Sequence, residues 1–333
     1  MRAAVLRAFG EPLQIASVPE PQPAPDDVLI RVRAVGLCGT DLKITSGAFD
    51  DTPLPLIPGH EVAGQVVGDT GDLKAGQRVA CYLYDPCGEC AWCRGGRATL
   101  CPHSRRIGFE RDGGLAELIS VRRVNVLPFD GDLPFEQAAV AMDAVLSPWR
   151  ALTVRAAIQS GERVVVVGAG GLGLNGVQIA RRAGARAAAV DPVQSHREAA
   201  LELGAEIAVS PENIAEIASW SEGGADVGFE SSGTRAGFET ALAALRPGAR
   251  LVCCGYKPGL GYEVDSAELV LGELTILGSR AGTREDARAA LQAVADGSIR
   301  PRIMDTLPLD DVNHALDALR AGNTLGRLVI GFP

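Results

Sequence analysis

The 333-residue sequence predicts an α/β protein, a mostly β unit joined to a doubly wound α/β unit. Three observations predict it. Up to about residue 146, short runs alternate apolar and polar residues, as half-buried antiparallel strands do. From Arg163 to Gly278, wholly apolar runs alternate with segments of helical periodicity, the rhythm of a parallel sheet covered on both faces. At the head of that rhythm stands Gly161-Glu-Arg-Val-Val-Val-Val-Gly-Ala-Gly-Gly-Leu-Gly173, a strand, a glycine turn and the start of a helix.

Taken in order, Met1–Ala8 and Val28–Val35 read as strands, separated by the proline-rich loop Val18–Asp27. Val35–Lys43 follows, then a loop rich in Pro and Asp, then Ile57-Pro-Gly-His-Glu, where a glycine turn opens the strand Val62–Val67. A further strand runs towards Cys81, and Gly113–Val121 is another. Leu133–Val145 has helical spacing, with Asp143 interrupting an otherwise apolar stretch, and Arg150–Gln159 is helical in pattern after Pro148 and Trp149.

In the second unit, Val164–Val167 is β-branched and suits a strand buried on both faces. The G-x-G-x-x-G glycines have distinct steric tasks. Gly168 makes the turn, Gly170 admits a pyrophosphate, and Gly173 lets helix and strand close together. With Gly171 and Leu172 they form the candidate phosphate cradle, at the N-terminus of a helix over Leu174–Gly184. The next apolar run, Arg186–Val190, ends in Asp191, a carboxylate able to accept hydrogen bonds from both ribose hydroxyls of NAD and to repel a 2′-phosphate. Strands at Ala225–Glu230, Ala249–Gly255 and Leu274–Gly278 and a helix at Gly237–Leu245 continue the pattern. Helices at Glu285–Ala295 and Val312–Arg320 and the strand Gly326–Ile330 do not extend it. The expected domains are therefore residues 1–146 with 280–333, and residues 147–279.

The composition, 47% hydrophobic and 22% charged, is that of a soluble globular protein. A net charge of −9 argues against nucleic-acid or anionic-membrane partners. No apolar run approaches the roughly 20 residues that span a bilayer, and Met1-Arg-Ala-Ala-Val-Leu lacks a signal-peptide core. Eight cysteines without a secretion signal read as thiols or metal ligands in a reducing compartment, so the cytoplasm is expected.

Cys87, Cys90, Cys93 and Cys101 follow the spacing C-x2-C-x2-C-x7-C in a glycine-studded loop. Four thiolates so close match a closed, structural tetrahedral zinc site. An iron–sulfur cluster uses the same number of cysteine ligands, and unmetallated thiols are the third reading.

Gly36–Asp41 with Cys38-Gly-Thr40, Gly59-His-Glu61, the four-cysteine lobe, Gly113–Val121, Gly168–Gly173 and Gly326-Arg-Leu-Val together resemble the zinc-dependent medium-chain alcohol dehydrogenase family, in order and separation over nearly the whole chain. The resemblance implies a GroES-like, mostly β catalytic domain, a Rossmann domain, and an active site in the cleft between them. It also implies two zinc ions per chain, one catalytic and one structural, with NAD as cofactor.

Cys38 and His60 match two of the family's catalytic zinc ligands, and Asp143 occupies the third position, where many relatives carry cysteine. A carboxylate donates less charge than a thiolate and leaves the metal more Lewis acidic. Glu61 is either a fourth ligand or a residue that orients ligands. Thr40 resembles the family's proton-relay hydroxyl; capping the next helical turn is its plainer role. Where the relay often ends in histidine this chain has Lys43, and an ammonium, titrating near about 10.4, is a poorer proton acceptor. Contact with a ribose or an anionic substrate, or simple solvation, are the alternatives for Lys43. Arg327 resembles the pyrophosphate-binding arginine. His196 is placed either at the adenosine ribose or, by its pattern, as a solvated helix residue. Phe49, Tyr84 and Trp149 are candidate pocket walls.

The expected activity is oxidation of an alcohol or polyol to a ketone or aldehyde by hydride transfer to nicotinamide. Two alternatives remain: a carbonyl reductase running the chemistry in reverse, or a nonenzymatic nucleotide or metal sensor. The substrate is not legible, because pocket residues come from scattered loops. Small-molecule substrates and a homodimer or homotetramer complete the expectation.

Overall fold

The computed structural model describes residues 1–322 and 324–333. The chain divides into two compact units, Met1–Asp143 with Thr283–Gly297 and Ile303–Pro333, and Ala144–Gly282 with Ser298–Arg302. The expected boundary after residue 146 falls instead after Asp143. The five residues Ser298–Arg302 return to the second unit, because the buried Gln178 holds Arg300 there: its Oε1 accepts the Arg300 N–H at 2.8 Å and its Nε2 donates to the Arg300 carbonyl at 3.2 Å.

The first unit is built on a seven-stranded sheet. Its path runs Ile303–Pro308, Arg327–Gly331, Asp27–Leu37, Glu61–Val66, Arg78–Cys81 and Val126–Pro128, with Leu118–Arg122 paired to the first half of Asp27–Leu37. That long strand alternates at first, with Val28, Ile30 and Val32 buried and Arg31 exposed. From Ala34 onward every residue is buried, as the strand runs inward to Cys38. The C-terminal strand joins it antiparallel, Leu37 opposite Leu328, which places Arg327 near Cys38. The expected strand Gly113–Val121 is regular only over Leu118–Arg122.

The second unit holds six parallel strands in the order Ile207–Val209, Arg186–Val190, Arg163–Val167, Ala225–Glu230, Leu245–Cys253 and Thr275–Gly278. Numbered within the unit this is 3-2-1-4-5-6, the doubly wound order whose switch point lies at the glycine turn. Val164–Val167 is buried between Ala187–Val190 and Val227–Glu230, which explains its unbroken apolar run. The helix Gly173–Arg182 buries Leu174, Val177, Ile179 and Ala180.

Sequence and structure differ most at residues 133–159. The segment is an α-helix only over Phe135–Val140; it widens to π-helical winding over Ala141–Val145, returns to α over Leu146–Trp149 and widens again over Arg150–Arg155. Pro148 is one cause, since it cannot donate the helical hydrogen bond to the Ala144 carbonyl.

Candidate active site

Cys38 ends the central strand of the first unit and caps the short helix Gly39–Thr45. Asp41, at the third helical position, accepts the Cys38 N–H through Oδ2 at 2.8 Å, a reciprocal cap that fixes the backbone at Cys38. The capping role weighed for Thr40 therefore belongs to Asp41, and Thr40 is a half-buried helix residue with Lys43 one turn further on. The other oxygen of Asp41 lies 3.3 Å from His60 Nδ1. An Nδ1–H donated to Asp41 leaves Nε2 free to ligate, the carboxylate–histidine arrangement that orients metal-binding imidazoles.

His60 and Glu61 begin the neighbouring strand, and Asp143 projects from the π-helical turn, a local widening that often marks functional sites. Cys38, His60, Glu61 and Asp143 each offer one donor atom, and these atoms all lie within 4.8 Å of one another. Cys38 Sγ is 3.4 Å from Asp143 Oδ2, and His60 Nε2 is 3.8 Å from the same oxygen. Donors around one tetrahedral zinc, with bonds of about 2.0–2.3 Å, stand roughly 3.3–3.8 Å apart, so this buried sulfur–nitrogen–oxygen set fits such an ion.

Glu61 is completely buried, and its Oε1 lies 2.9 Å from Arg327 Nη2. Gly36 makes the space: a Cβ there would stand 2.0 Å from Glu61 Oε2. Burial pushes the Glu61 carboxyl up, and the Arg327 guanidinium opposes it. Arg327 also lies 3.3 Å from Asp143 Oδ2 and 3.5 Å from Cys38 Sγ. Desolvation disfavours its charge, but Cys38, Glu61 and Asp143 outweigh this and raise its pKa. The guanidinium expected at a pyrophosphate is thus engaged, in this structure, by the acids of the metal-binding cluster.

Phe109 packs on the imidazole, with centroids 5.4 Å apart, and Phe49 meets Phe109 edge-on at 5.4 Å. The Arg106 guanidinium lies 4.1 Å from the Phe109 ring centre. Phe49 thus stands one ring away from His60. Tyr84 is buried on a two-residue strand beside Tyr82, and Trp149, in the second unit, faces Arg182 at 5.6 Å. Sequence reasoning missed Asp41 and Phe109. The Cys38-x-x-Asp41 spacing, an acid at the third position of a helix, was the available signal for the first.

In the cysteine lobe the sulfurs of Cys87, Cys90, Cys93 and Cys101 converge. Sγ separations of 3.5 Å (Cys90–Cys93 and Cys87–Cys101) and 3.9 Å (Cys87–Cys93) match the ~3.8 Å between thiolates on one zinc and exclude disulfides. Four sulfurs gathered this tightly enclose one ion, not a multi-iron cluster. Backbone N–H groups of Glu89 and Cys90 point at Cys87 and pull its thiol down to about 6, favouring the ligating thiolate.

In the second unit the glycine turn has the shape a dinucleotide needs. Gly168 has φ +89° and its Cβ would strike Ser232, while a Cβ on Gly173 would lie 1.8 Å from the Gly168 carbonyl. At Gly170 a Cβ would meet nothing, leaving that backbone open to a ligand. Asp191 accepts the N–H of Ala169 at 2.7 Å and of Val193 at 2.8 Å, and lies 3.2 Å from His196 Nδ1. Burial raises its pKa, but His196 and the two N–H groups outweigh burial and leave it a carboxylate, below its ordinary range. His196 is buried against Asp191, which corrects the expectation of a solvated helix residue.

Donor set and phosphate turn together define a metal-dependent dinucleotide oxidoreductase. Residues 24–131 match the family described as "Alcohol dehydrogenase GroES-like domain", and residues 171–296 match "Zinc-binding dehydrogenase". An alcohol dehydrogenase of Geobacillus stearothermophilus is 36% identical over 339 residues, covering 99% of each chain. A solved NAD-dependent alcohol dehydrogenase superposes with a TM-score of 0.93 at 28% identity over 100% of both chains. A cobalt- and zinc-bound thermostable alcohol dehydrogenase from Pyrobaculum aerophilum gives 0.90 at 30% identity, over 100% of this chain and 99% of that one. The chain belongs to the zinc-dependent medium-chain alcohol dehydrogenase family, and it is an oxidoreductase. Among the described residues no helix is long and apolar enough to cross a membrane.

Proposed function

We propose that the chain oxidises an alcohol or polyol to a ketone or aldehyde with NAD as acceptor. The single observation that carries this reading is the buried convergence of Cys38, His60 and Asp143, with Asp41 behind the imidazole. When bound, zinc supplies an electrophile for the substrate hydroxyl and NAD supplies the hydride acceptor.

The chain's own residues do the rest. Cys38, His60 and Asp143 hold the metal, and Asp41 fixes the imidazole tautomer. The ion pair of Glu61 with Arg327 supports a charge-balancing role for both. Thr40, two residues after Cys38, accepts the hydroxyl proton and passes it outward. Lys43 shares its helix face (i, i+3) and contacts the ribose or an anionic substrate group. Phe49 and Phe109 form an apolar wall near His60; Tyr84 and Trp149 are the other residues we assign to substrate contact. The backbone at Gly170, Gly171 and Leu172 receives the pyrophosphate, and Asp191 the adenosine ribose, with His196 as its buried support.

Thr275–Gly278 lies at the sheet edge, with no strand on its outer side among the described residues and with Val270 69% and Leu271 82% exposed nearby, which supports self-association as a dimer or tetramer. The gathering of four of the eight cysteines into one metal-type donor set supports a reducing, cytoplasmic setting. The test is NADH formation across primary and secondary alcohols, polyols, sugars and threonine, with chelator-treated protein as control. Chelator-sensitive turnover of one class is expected; zinc-loaded protein that binds NADH but turns over none of them, in either direction, rejects the reading.

A further inference from the structure

One buried amide joins the glycine turn to the segment that carries Asp143. Because Pro148 has no N–H, the carbonyl of Ala144, four residues earlier, has no α-helical donor. Asn175 Nδ2 supplies one, at 2.9 Å. The same amide group donates to the Gly171 carbonyl at 3.0 Å. Asn175 is 2% exposed, and Gln178 Nε2 lies 3.5 Å from its Oδ1. Both donor positions of the amide are therefore used, one on each carbonyl. Ala144 directly follows Asp143 in the π-helical turn, and Gly171 lies in the turn with the open backbone.

The arrangement has leverage. A π-turn carries one residue more than an α-turn, so letting it slip by one position rotates a side chain by about 100° about the helix axis, far more than a metal ligand tolerates. Tightening the phosphate turn around a ligand changes the Gly171 carbonyl's environment, and the shared amide carries that change to Ala144. Asn175 is neither one of the clustered metal-type donors nor part of the Gly168–Gly173 turn itself.

We propose that Asn175 is a positioning residue that ties dinucleotide occupancy of the Gly168–Gly173 turn to the placement of the Asp143 carboxylate, so that NAD and zinc bind cooperatively. The inference rests on the zinc and NAD reading above. Linkage makes the coupling reciprocal: NAD tightens the metal at the Asp143 site by the factor by which the metal tightens NAD.

The experiment is the rate of zinc release to a colorimetric chelator, with and without saturating NAD, in the parent enzyme and in Asn175→Leu. The four-cysteine lobe is an internal reference, and NADH fluorescence reports cofactor binding separately. In the parent, NAD is expected to slow release from the Asp143 site by about tenfold, within the usual range for coupled sites. In Asn175→Leu the NAD effect falls below about twofold and release without NAD becomes faster, as for other residues that support metal ligands. The lobe zinc behaves identically in both proteins. Pro148→Ala returns a helical donor to the Ala144 carbonyl and serves as a second background. There Asn175→Leu costs less thermal stability, yet the NAD effect stays lost, which a merely structural role does not produce. A parent without an NAD effect, or an Asn175→Leu protein that keeps it in either background, overturns the inference. Failure of the parent to hold zinc or bind NADH overturns the functional reading itself and is seen independently.

Discussion

Arg327 and Glu61 form a buried ion pair, Nη2 to Oε1 at 2.9 Å, inside the cluster that gathers the catalytic-type ligands. The guanidinium is the cationic partner of both Glu61 and Asp143 there. Removing one member of such a pair leaves charge stranded without solvent. Arg327→Met is expected to lower stability by about 3–5 kcal/mol in urea titrations. The double variant Arg327→Met/Glu61→Gln should lose clearly less than the two single losses added, since each single change strands the other partner. Simple additivity would show that the pair does not act as a unit.

Asp41 both caps Cys38 and faces His60 Nδ1. Asp41→Asn is expected to weaken zinc at the Cys38–His60–Asp143 site by about 10–100-fold, measured by competition with a chelator. Retention equal to the parent's would remove Asp41 from the metal's support.

Asp191 is expected to set cofactor choice. The parent should prefer NAD over NADP by at least roughly tenfold in kcat/KM, and Asp191→Ser should bring the ratio close to unity. An Asp191→Ser ratio equal to the parent's places selectivity elsewhere.

The reading that gives the substrate proton to Thr40 leaves Lys43 outside the main proton transfer. Lys43→Ala is expected to lower kcat by less than about tenfold, the modest loss of a group outside the main proton transfer. A drop of more than about a hundredfold makes Lys43 an obligatory proton acceptor.

Stability should depend on pH through Asp226. Its carboxylate accepts the Arg163 N–H at 2.7 Å and Arg246 Nε at 2.7 Å. Burial raises its pKa, but these partners outweigh burial and hold it below the ordinary range. A carboxyl depressed in the folded state contributes stability above its unfolded pKa of about 3.9, and that contribution is lost as pH falls through the lower folded value. Asp226→Asn should therefore cost about 1–2 kcal/mol at pH 7, with the difference from the parent shrinking at pH values below about 4. A difference that grows on acidification contradicts the assignment.

Much of this was legible in the residues themselves. Val164–Val167, the three glycines and Asp191 mark their unit because each answers a local steric or polar demand. The four cysteines of the lobe declare themselves by donor type and spacing, whereas Cys38 and His60 stood out as metal-ligand candidates only through the resemblance, each being by itself an ordinary buried residue. Asp143 was legible as a ligand only through resemblance, and its π-turn not at all, because the local pattern is simply helical and the missing donor lies three-dimensionally elsewhere, at Asn175. The burial of Arg327 and the return of Ser298–Arg302 depend on Glu61 and Gln178, each more than a hundred residues distant, and no window of sequence contains both partners. His196 was misread for a similar reason: its companion Asp191 lies one turn outside the helix whose polar pattern suggested solvent.

The pairing of Leu37 with Leu328 has a bearing on how the molecule comes into being. On the ribosome, the edge of Asp27–Leu37 that receives Arg327–Gly331 stays open while nearly three hundred further residues are made. The six parallel strands, by contrast, are all present once Gly278 has emerged, so the sheet of the second unit can assemble while the first still lacks an edge. The guanidinium that neutralises Glu61 arrives with that late strand. The nascent chain therefore acquires its ability to bury those acids last, and a metal captured earlier would meet an unshielded, hydrated pocket.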